Sequence, residues 1–317
     1  MRAKTIFMAM LAAAVLTACN NDENDVIDSG SSQATFTAAI NGQADTRAYD
    51  QTWEANDAIG ISGTSGGTTY TNVQYVTTGG NGNFTAGTSG NEIYYQDDAA
   101  VTFTAYYPWT NLESGVTTIT ADTRAQSSQS DFDFLWAQQT GSKASPNVQF
   151  LFAHKMVKLV LTIRKGDGVS YQEVQDAVLS LGGFRNNGSF NVTDGTAFAT
   201  DGTVNLTFAG NTSETGYNAP LSKDDAAETV AYTLILFPQV FSSSLPITAT
   251  ITGGQSFSAT LNFTTANIDA GDTDAQNEWV AGRQYNLSVT LHKTGITVNG
   301  STIQGWEEAD GDNIVIN

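Results

Sequence analysis

One cysteine, two histidines and thirty-two carboxylates are the residues of this 317-residue chain whose types could do chemistry. Cys19 stands alone, which removes disulfides within the chain and any cysteine-rich metal site. His154 and His292 are too few for a histidine metal cluster and leave room for one histidine-dependent centre. His154 lies in Phe152-Ala153-His154-Lys155 beside a strand-like run, where a hydrogen-bonded structural histidine is expected. Asp269, Asp272, Asp274 and Glu278 crowd one loop with a superficial likeness to a calcium site. They lack the order of acids and the twelfth-position carboxylate of an EF-hand, so a solvated turn and no metal are expected. Asp310-Gly311-Asp312 reads the same way. Asp131 with Asp133 is the type of pair a glycosidase uses, yet such neighbours arise by chance among so many acids. No nucleophile elbow is read around any serine, and no glycine-rich loop follows a strand and opens a helix. The expectation is a protein that is not an enzyme and takes no cofactor.

Charge narrows the partners further. Lys and Arg number 13 against 32 Asp and Glu, a formal −19, with only 14% charged residues overall. Nucleic acid is excluded, because phosphate neutralisation needs clustered bases that this chain lacks. Adhesion to an anionic bilayer through a basic face is disfavoured for the same reason. The first eighteen residues read as an address. Arg2 and Lys4 precede an apolar run, and Leu16-Thr17-Ala18-Cys19 closes it with small residues before the cysteine. The run from Thr5 to Ala18 is too short for a bilayer-spanning helix, which needs about 20 residues. The pattern is that of a bacterial lipoprotein signal peptide, with Cys19 lipidated (acylated with palmitate or a similar chain) and becoming the new N-terminus. Processing leaves 299 residues with 11 bases against 32 acids, a formal −21. The following Asn20-Asn21-Asp22-Glu23-Asn24-Asp25 resembles the acidic surface-export signal of Bacteroidetes lipoproteins, which implies an outer-membrane anchor facing the medium. Several acyl chains on one residue anchor firmly, at about 0.8 kcal/mol per buried CH₂.

The elements that must position these residues are strands. Residues 19–33 form an acidic, Ser/Gly-rich tether. From Ala34 onward, short alternating apolar runs are separated by Gly/Asn/Asp/Ser clusters, the rhythm of an all-β protein. Strands are expected at Thr35–Ile40, Ala58–Ser62, Thr69–Val76, Val101–Tyr107, Phe150–Phe152 and Lys155–Arg164. In the last of these Val157, Leu159, Leu161 and Ile163 share one face. The second half repeats the rhythm, with hairpin turns expected at Asn186-Asn187-Gly188 and Thr252-Gly253-Gly254-Gln255. A weak helical pattern covers Tyr171–Ala177. Gly166-Asp167-Gly168 breaks the first half from the second, giving domains at 34–167 and 168–317. Two stacked β-sandwiches are the expected architecture.

Several motifs in order resemble the fimbrillin family, the lipoprotein-derived (type V) pilus subunits of Bacteroidales. They are Thr46-Arg47-Ala48, Trp53 with Asn56-Asp57-Ala58-Ile59-Gly60-Ile61, Phe103-Thr104-Ala105-Tyr106-Tyr107-Pro108, Gln126 ahead of Asp131, and Phe152-Ala153-His154-Lys155. The second half adds Phe237-Pro238-Gln239, Ala281-Gly282-Arg283-Gln284-Tyr285 and Ile296-Thr297-Val298 leading to Ile303-Gln304-Gly305-Trp306. Asn56 stands where the family commonly has Gly. The resemblance implies two transthyretin-like β-sandwich domains in tandem and a fimbrial role in cell adhesion. It also implies donor-strand exchange, in which an Arg-specific maturation protease cuts an N-terminal loop, the first strand leaves, and another subunit (self or related) fills its groove. Carried over, the scissile bond is Arg47-Ala48, with Arg124 in Thr123-Arg124-Ala125 as a rival, and the departing strand is Thr35–Ile40. Ile314, Val315 and Ile316 follow a polar linker and form either the donor strand or a last edge strand of their own domain. The alternative from another class is a surface glycan-binding lipoprotein of a polysaccharide-utilisation system. That reading needs exposed Trp and Tyr aligned on one face, the tryptophans being Trp53, Trp109, Trp136, Trp279 and Trp306.

Overall fold

The computed structural model describes residues 32–41, 52–124, 126, 128–200, 202–209, 221–241, 245–261 and 278–305. Cys19, Arg47, Ala48, Ile314, Val315 and Ile316 lie outside the described residues, as do the leader and the tether up to residue 31. The first half contributes β1 (Ser32–Gln33), β2 (Thr35–Ile40), β3 (Asp57–Ser65), β4 (Thr68–Thr77), β5 (Asn83–Ala86), β6 (Tyr94–Tyr95), β7 (Val101–Tyr107), β8 (Thr118–Asp122), β9 (Leu135–Gly141) and β10 (Asn147–His154). Where a sandwich was expected, these strands close into a barrel in the order β10-β2-β5-β4-β3-β7-β9. Closure depends on β10, which runs parallel to β2 over six register pairs and reaches β9 through Ala153↔Trp136 and His154↔Leu135. A closed sheet leaves no edge whose backbone N–H and C=O groups lack a strand partner. Inside it Phe36, Ile59, Ile61, Tyr75, Phe103 and Phe152 form one buried cluster.

The second half contributes β11 (Val157–Lys165), α1 (Tyr171–Asp176), β12 (Val178–Phe184), β13 (Asn187–Asn191), β14 (Ala197–Ala199), β15 (Val204–Ala209), β16 (Leu221–Asp224), β17 (Thr229–Leu236), β18 (Gln239–Val240), β19 (Leu245–Thr250), β20 (Ser256–Leu261), β21 (Glu278–Trp279), β22 (Arg283–His292) and β23 (Gly295–Gly305). A five-stranded sheet in the order β16-β17-β11-β22-β23 faces a four-stranded sheet in the order β15-β12-β19-β20. Val157, Leu159, Leu161 and Ile163 of β11 enter the core between them together with Leu179, Leu181, Ile247, Leu287 and Val289. β11, which precedes the expected break at 167/168, is the central strand of this second structure, pairing with β17 on one side and β22 on the other. The Gly166–Gly168 break instead leads into α1, whose Ser170 and Glu173 form a capping box.

A third buried cluster, with Tyr106 and Phe134 from the first half and Phe190, Ile235 and Phe237 from the second, joins the two halves. Phe134 and Phe190 stack with centroids 4.8 Å apart. Strand β8 leaves the barrel segment to pair with β13, which also holds β14. Here the expected turn at Asn186-Asn187-Gly188 is corrected. Asn187 and Gly188 lie inside β13, and Gly188 is demanded by the Phe237 ring packed against its Cα, where a Cβ would collide. The other expected turn does close a hairpin, between β19 and β20.

Candidate functional site

The seat of β2 is the place where sequence and geometry converge. Ala34, Phe36 and Ile40 point into the barrel and are buried, and Ala38 packs beside them. The Phe36 ring meets Tyr75 edge-on at 4.8 Å and Phe103 at 5.4 Å, and stacks on Phe150 at 5.9 Å. Backbone bonds continue past both strand ends. The Ala34 N–H donates to the Ile93 carbonyl at 2.8 Å and the Asn41 N–H to the Phe152 carbonyl at 2.7 Å. The strand is held between β10 and β5, with β1 ahead of it paired to β6.

Two residues that sequence reasoning did not assign to this seat complete it. The Trp53 indole N–H donates to the Ala38 carbonyl at 2.8 Å, and its ring packs edge-on against Phe84, Tyr107 and Phe152. Gly82, at φ +75, accepts from the Ala38 N–H at 2.8 Å, and a Cβ there would strike the Ala38 carbonyl. Only a glycine tolerates both that backbone conformation and that approach. Arg47 separates these partners in sequence. β2 precedes it, whereas Trp53, Gly82 and the other six barrel strands follow it.

A cavity of about 550 Å³ opens at the end of β2, lined by Ile40, Trp53, Asp57, Tyr107, Asp133 and Lys158 among others. Two of its three lining carboxylates, those of Asp57 and Asp133 but not that of Glu54, are engaged by structural partners. Asp57 accepts from the Tyr107 hydroxyl at 2.9 Å and from the Glu54 N–H at 2.7 Å, while Asp133 bonds His154 Nδ1 at 2.8 Å. Burial first, and the Asp57 carboxylate next, push the Tyr107 hydroxyl upward, and burial pulls the Lys158 ammonium down to about 8. His154 is thus the buried structural histidine expected, and Asp131 sits exposed in a short turn at Gln129–Asp131 while Asp133 is engaged with that histidine. Gly63-Thr64-Ser65-Gly66-Gly67 has the spelling of a nucleophile elbow, contrary to the sequence reading. It forms the β3–β4 hairpin, and the Ser65 hydroxyl accepts from the Gln96 N–H at 2.9 Å. Of the candidate glycan-binding rings, Trp53 and Trp279 are buried and Trp109 and Trp136 half-buried; Trp306 lies outside the described residues.

Arg124, the rival cleavage point, has an exposed side chain but a pinned backbone. Thr123 is fully buried and bonds the Asn186 carbonyl through both its N–H and hydroxyl. Gln126 is equally buried; its amide donates to Ile235 O at 2.5 Å and accepts from Ile235 N–H at 2.7 Å. Gln129 adds a bond to Thr233 O at 3.0 Å. These two side chains stand beside β17 past Tyr232, where its pairing with β16 ends.

The chain belongs to the fimbrillin-like family, whose model matches residues 46–306. It is 31% identical, over 98% of its own length and 97% of the relative's, to a protein of Bacteroides uniformis named as a fimbrium subunit, Fim1C. A crystal structure described as a cell adhesion protein from Bacteroides uniformis is 29% identical, covering 86% of this chain and 98% of that one with a TM-score of 0.64. Another from Bacteroides ovatus shares the fold at 23% identity, with 87% and 98% covered and a TM-score of 0.66.

Proposed function

We propose that the protein is a pilus subunit exported as an outer-membrane lipoprotein through Cys19, matured by cleavage at Arg47-Ala48, and polymerised by donor-strand exchange to support adhesion. The observation that carries this reading is the placement of β2. It is the one barrel strand ahead of Arg47, and its departure opens a groove lined by Tyr75, Phe103 and Phe150 between the unpaired edges of β10 and β5. Only another strand satisfies both the backbone groups and the apolar walls of such a groove. Cleavage leaves a chain of 270 residues and severs it from the lipid. The tail residues Ile314, Val315 and Ile316 act in turn as a donor towards a neighbouring subunit. The two domains of the proposal are the barrel and the sandwich, and its partners are other fimbrillins and an Arg-specific protease.

The test is made in the bacterium that produces the protein, on sheared surface filaments. Arg47→Ala is expected to leave the chain in the outer membrane as a lipidated precursor absent from filaments, whereas Arg124→Ala is incorporated normally. Filaments containing intact Arg47→Ala chain at wild-type level overturn the reading.

A further inference from the structure

We propose that the seat of β2 is built for a strand from a different subunit, with inward side chains running small, aromatic, small, aliphatic, and that this chain's own tail is a poor occupant. The inference rests on the reading that β2 is exchangeable. The seat has four inward positions at spacing two, filled by Ala34, Phe36, Ala38 and Ile40. They differ in what they accept. Ala34 is 1% exposed, so the wall there leaves room for a small side chain. Phe36 occupies an aromatic box of Tyr75, Phe103 and Phe150. At Ala38 the Trp53 N–H and the Gly82 carbonyl bond the backbone, and the small side chain packs against the core.

The tail of this chain can be laid over the seat residue by residue. Asp310-Gly311-Asp312-Asn313-Ile314-Val315-Ile316-Asn317 against Ala34-Thr35-Phe36-Thr37-Ala38-Ala39-Ile40-Asn41 ends in the same Ile-Asn pair. In that register Ile316 takes the Ile40 position and Ile314 the Ala38 position, but Asp312 replaces Phe36 and Asp310 replaces Ala34. Two carboxylates then enter an apolar core, which folding strongly resists. Sliding the tail by two residues still leaves Asp312 at the Ala34 position; sliding by four puts the larger Ile314 in the small Ala34 position and an aliphatic Ile316 in the aromatic box. An odd shift turns Asn313, Val315 and Asn317 inward instead. None of these registers reproduces the order small, aromatic, small, aliphatic. The matching occupant comes from a non-identical subunit, which places this protein among subunits of another kind and not in a run of its own copies.

The experiment uses the lipid-free full chain, nicked by trypsin at Arg47 with β2 still seated. Three peptides compete for the seat, and mass spectrometry of the gel-filtered complex reads displacement of the N-terminal fragment. The first has the sequence of residues 32–41, the second that of residues 306–317, and the third is the second carrying Asp310→Ala, Asp312→Phe and Ile314→Ala. The first and third are expected to displace the fragment at concentrations within about tenfold of each other, and the native tail to need about 100-fold more. A native tail as effective as the first peptide overturns the inference and leaves strand exchange standing. A third peptide as weak as the native tail, beside an effective first, also overturns it, because the register would then not decide the fit. If even the first peptide displaces nothing, the seat is not exchangeable and the underlying reading falls with the inference.

Discussion

At the residue scale, the hold on β2 comes from a few side chains and one glycine. Gly82 is the sharpest probe, since its backbone sits at φ +75 and the Ala38 carbonyl lies where a Cβ would go. Gly90 is its control, at φ +93 with open space around it. Both Gly→Ala substitutions carry the conformational cost of about 1–3 kcal/mol, and Gly82→Ala adds the displacement of β2. Urea unfolding is expected to show Gly82→Ala clearly less stable than Gly90→Ala; equal losses would mean that Gly82 does not support the strand. Lys158 offers a second test through pH. Its folded pKa is pulled down by burial to about 8 from 10.5, so between those values the unfolded chain holds more protons and stability rises with pH. Tyr75 and Tyr232 are pushed up to about 12, chiefly by burial, so above about pH 10 the unfolded state loses protons first and stability falls. The urea midpoint is expected to climb from about pH 8 and turn over near pH 10, with Lys158→Met flattening the climb. A wild-type profile without that climb counts against a lowered Lys158 pKa.

At the element scale, Arg47 and Arg124 share the same Thr-Arg-Ala spelling and differ in what surrounds them. A protease needs a stretch of backbone free to enter its cleft, and the segment around Arg124 is stitched to Asn186, just ahead of β13, and to β17 through Thr123 and Gln126. Limited trypsin is expected to leave Arg124-Ala125 intact in the wild type and to cut it in Gln126→Ala, read by N-terminal sequencing. Cleavage of the wild type at Arg124 as fast as at Arg47 would show that the stitching does not protect. Local patterning made much of this framework legible in advance. Thr35–Ile40 and Val101–Tyr107 are strands with the bounds the sequence suggested, and the buried face of β11 is the one its alternation marks. Barrel closure and the β8–β13 pairing were not legible, because they join residues far apart in sequence, as in Phe36 beside Val148 and Ile119 beside Phe190. Asn187-Gly188 misled for the opposite reason. Its local spelling suits a turn, while the Phe237 ring packed against Gly188 fixed it as strand. The roles of Trp53 and Gln126 also escaped, since each is a side chain bonding a remote backbone.

At the scale of the whole molecule, the barrel and the sandwich share the aromatic cluster around Phe134 and Phe190 and the sheet made by β8, β13 and β14. Coupling of that kind predicts one cooperative thermal transition with calorimetric and van't Hoff enthalpies in agreement. Phe190→Ala, at a cost of about 3–5 kcal/mol, is expected to separate it into two. Two well-resolved transitions in the wild type would show the halves to be independent. The parallel run of β2 beside β10 carries a mechanical consequence. Its hydrogen bonds lie across its length, in six register pairs. A pull on the chain ahead of Ser32 travels down the strand's own axis and strains those bonds together, as in a lap joint, while a sideways lift breaks them one after another from the end. The barrel therefore grips a strand best against tension along the strand and releases it most readily to a peel, so direction of force, as much as affinity, governs how long that grip lasts.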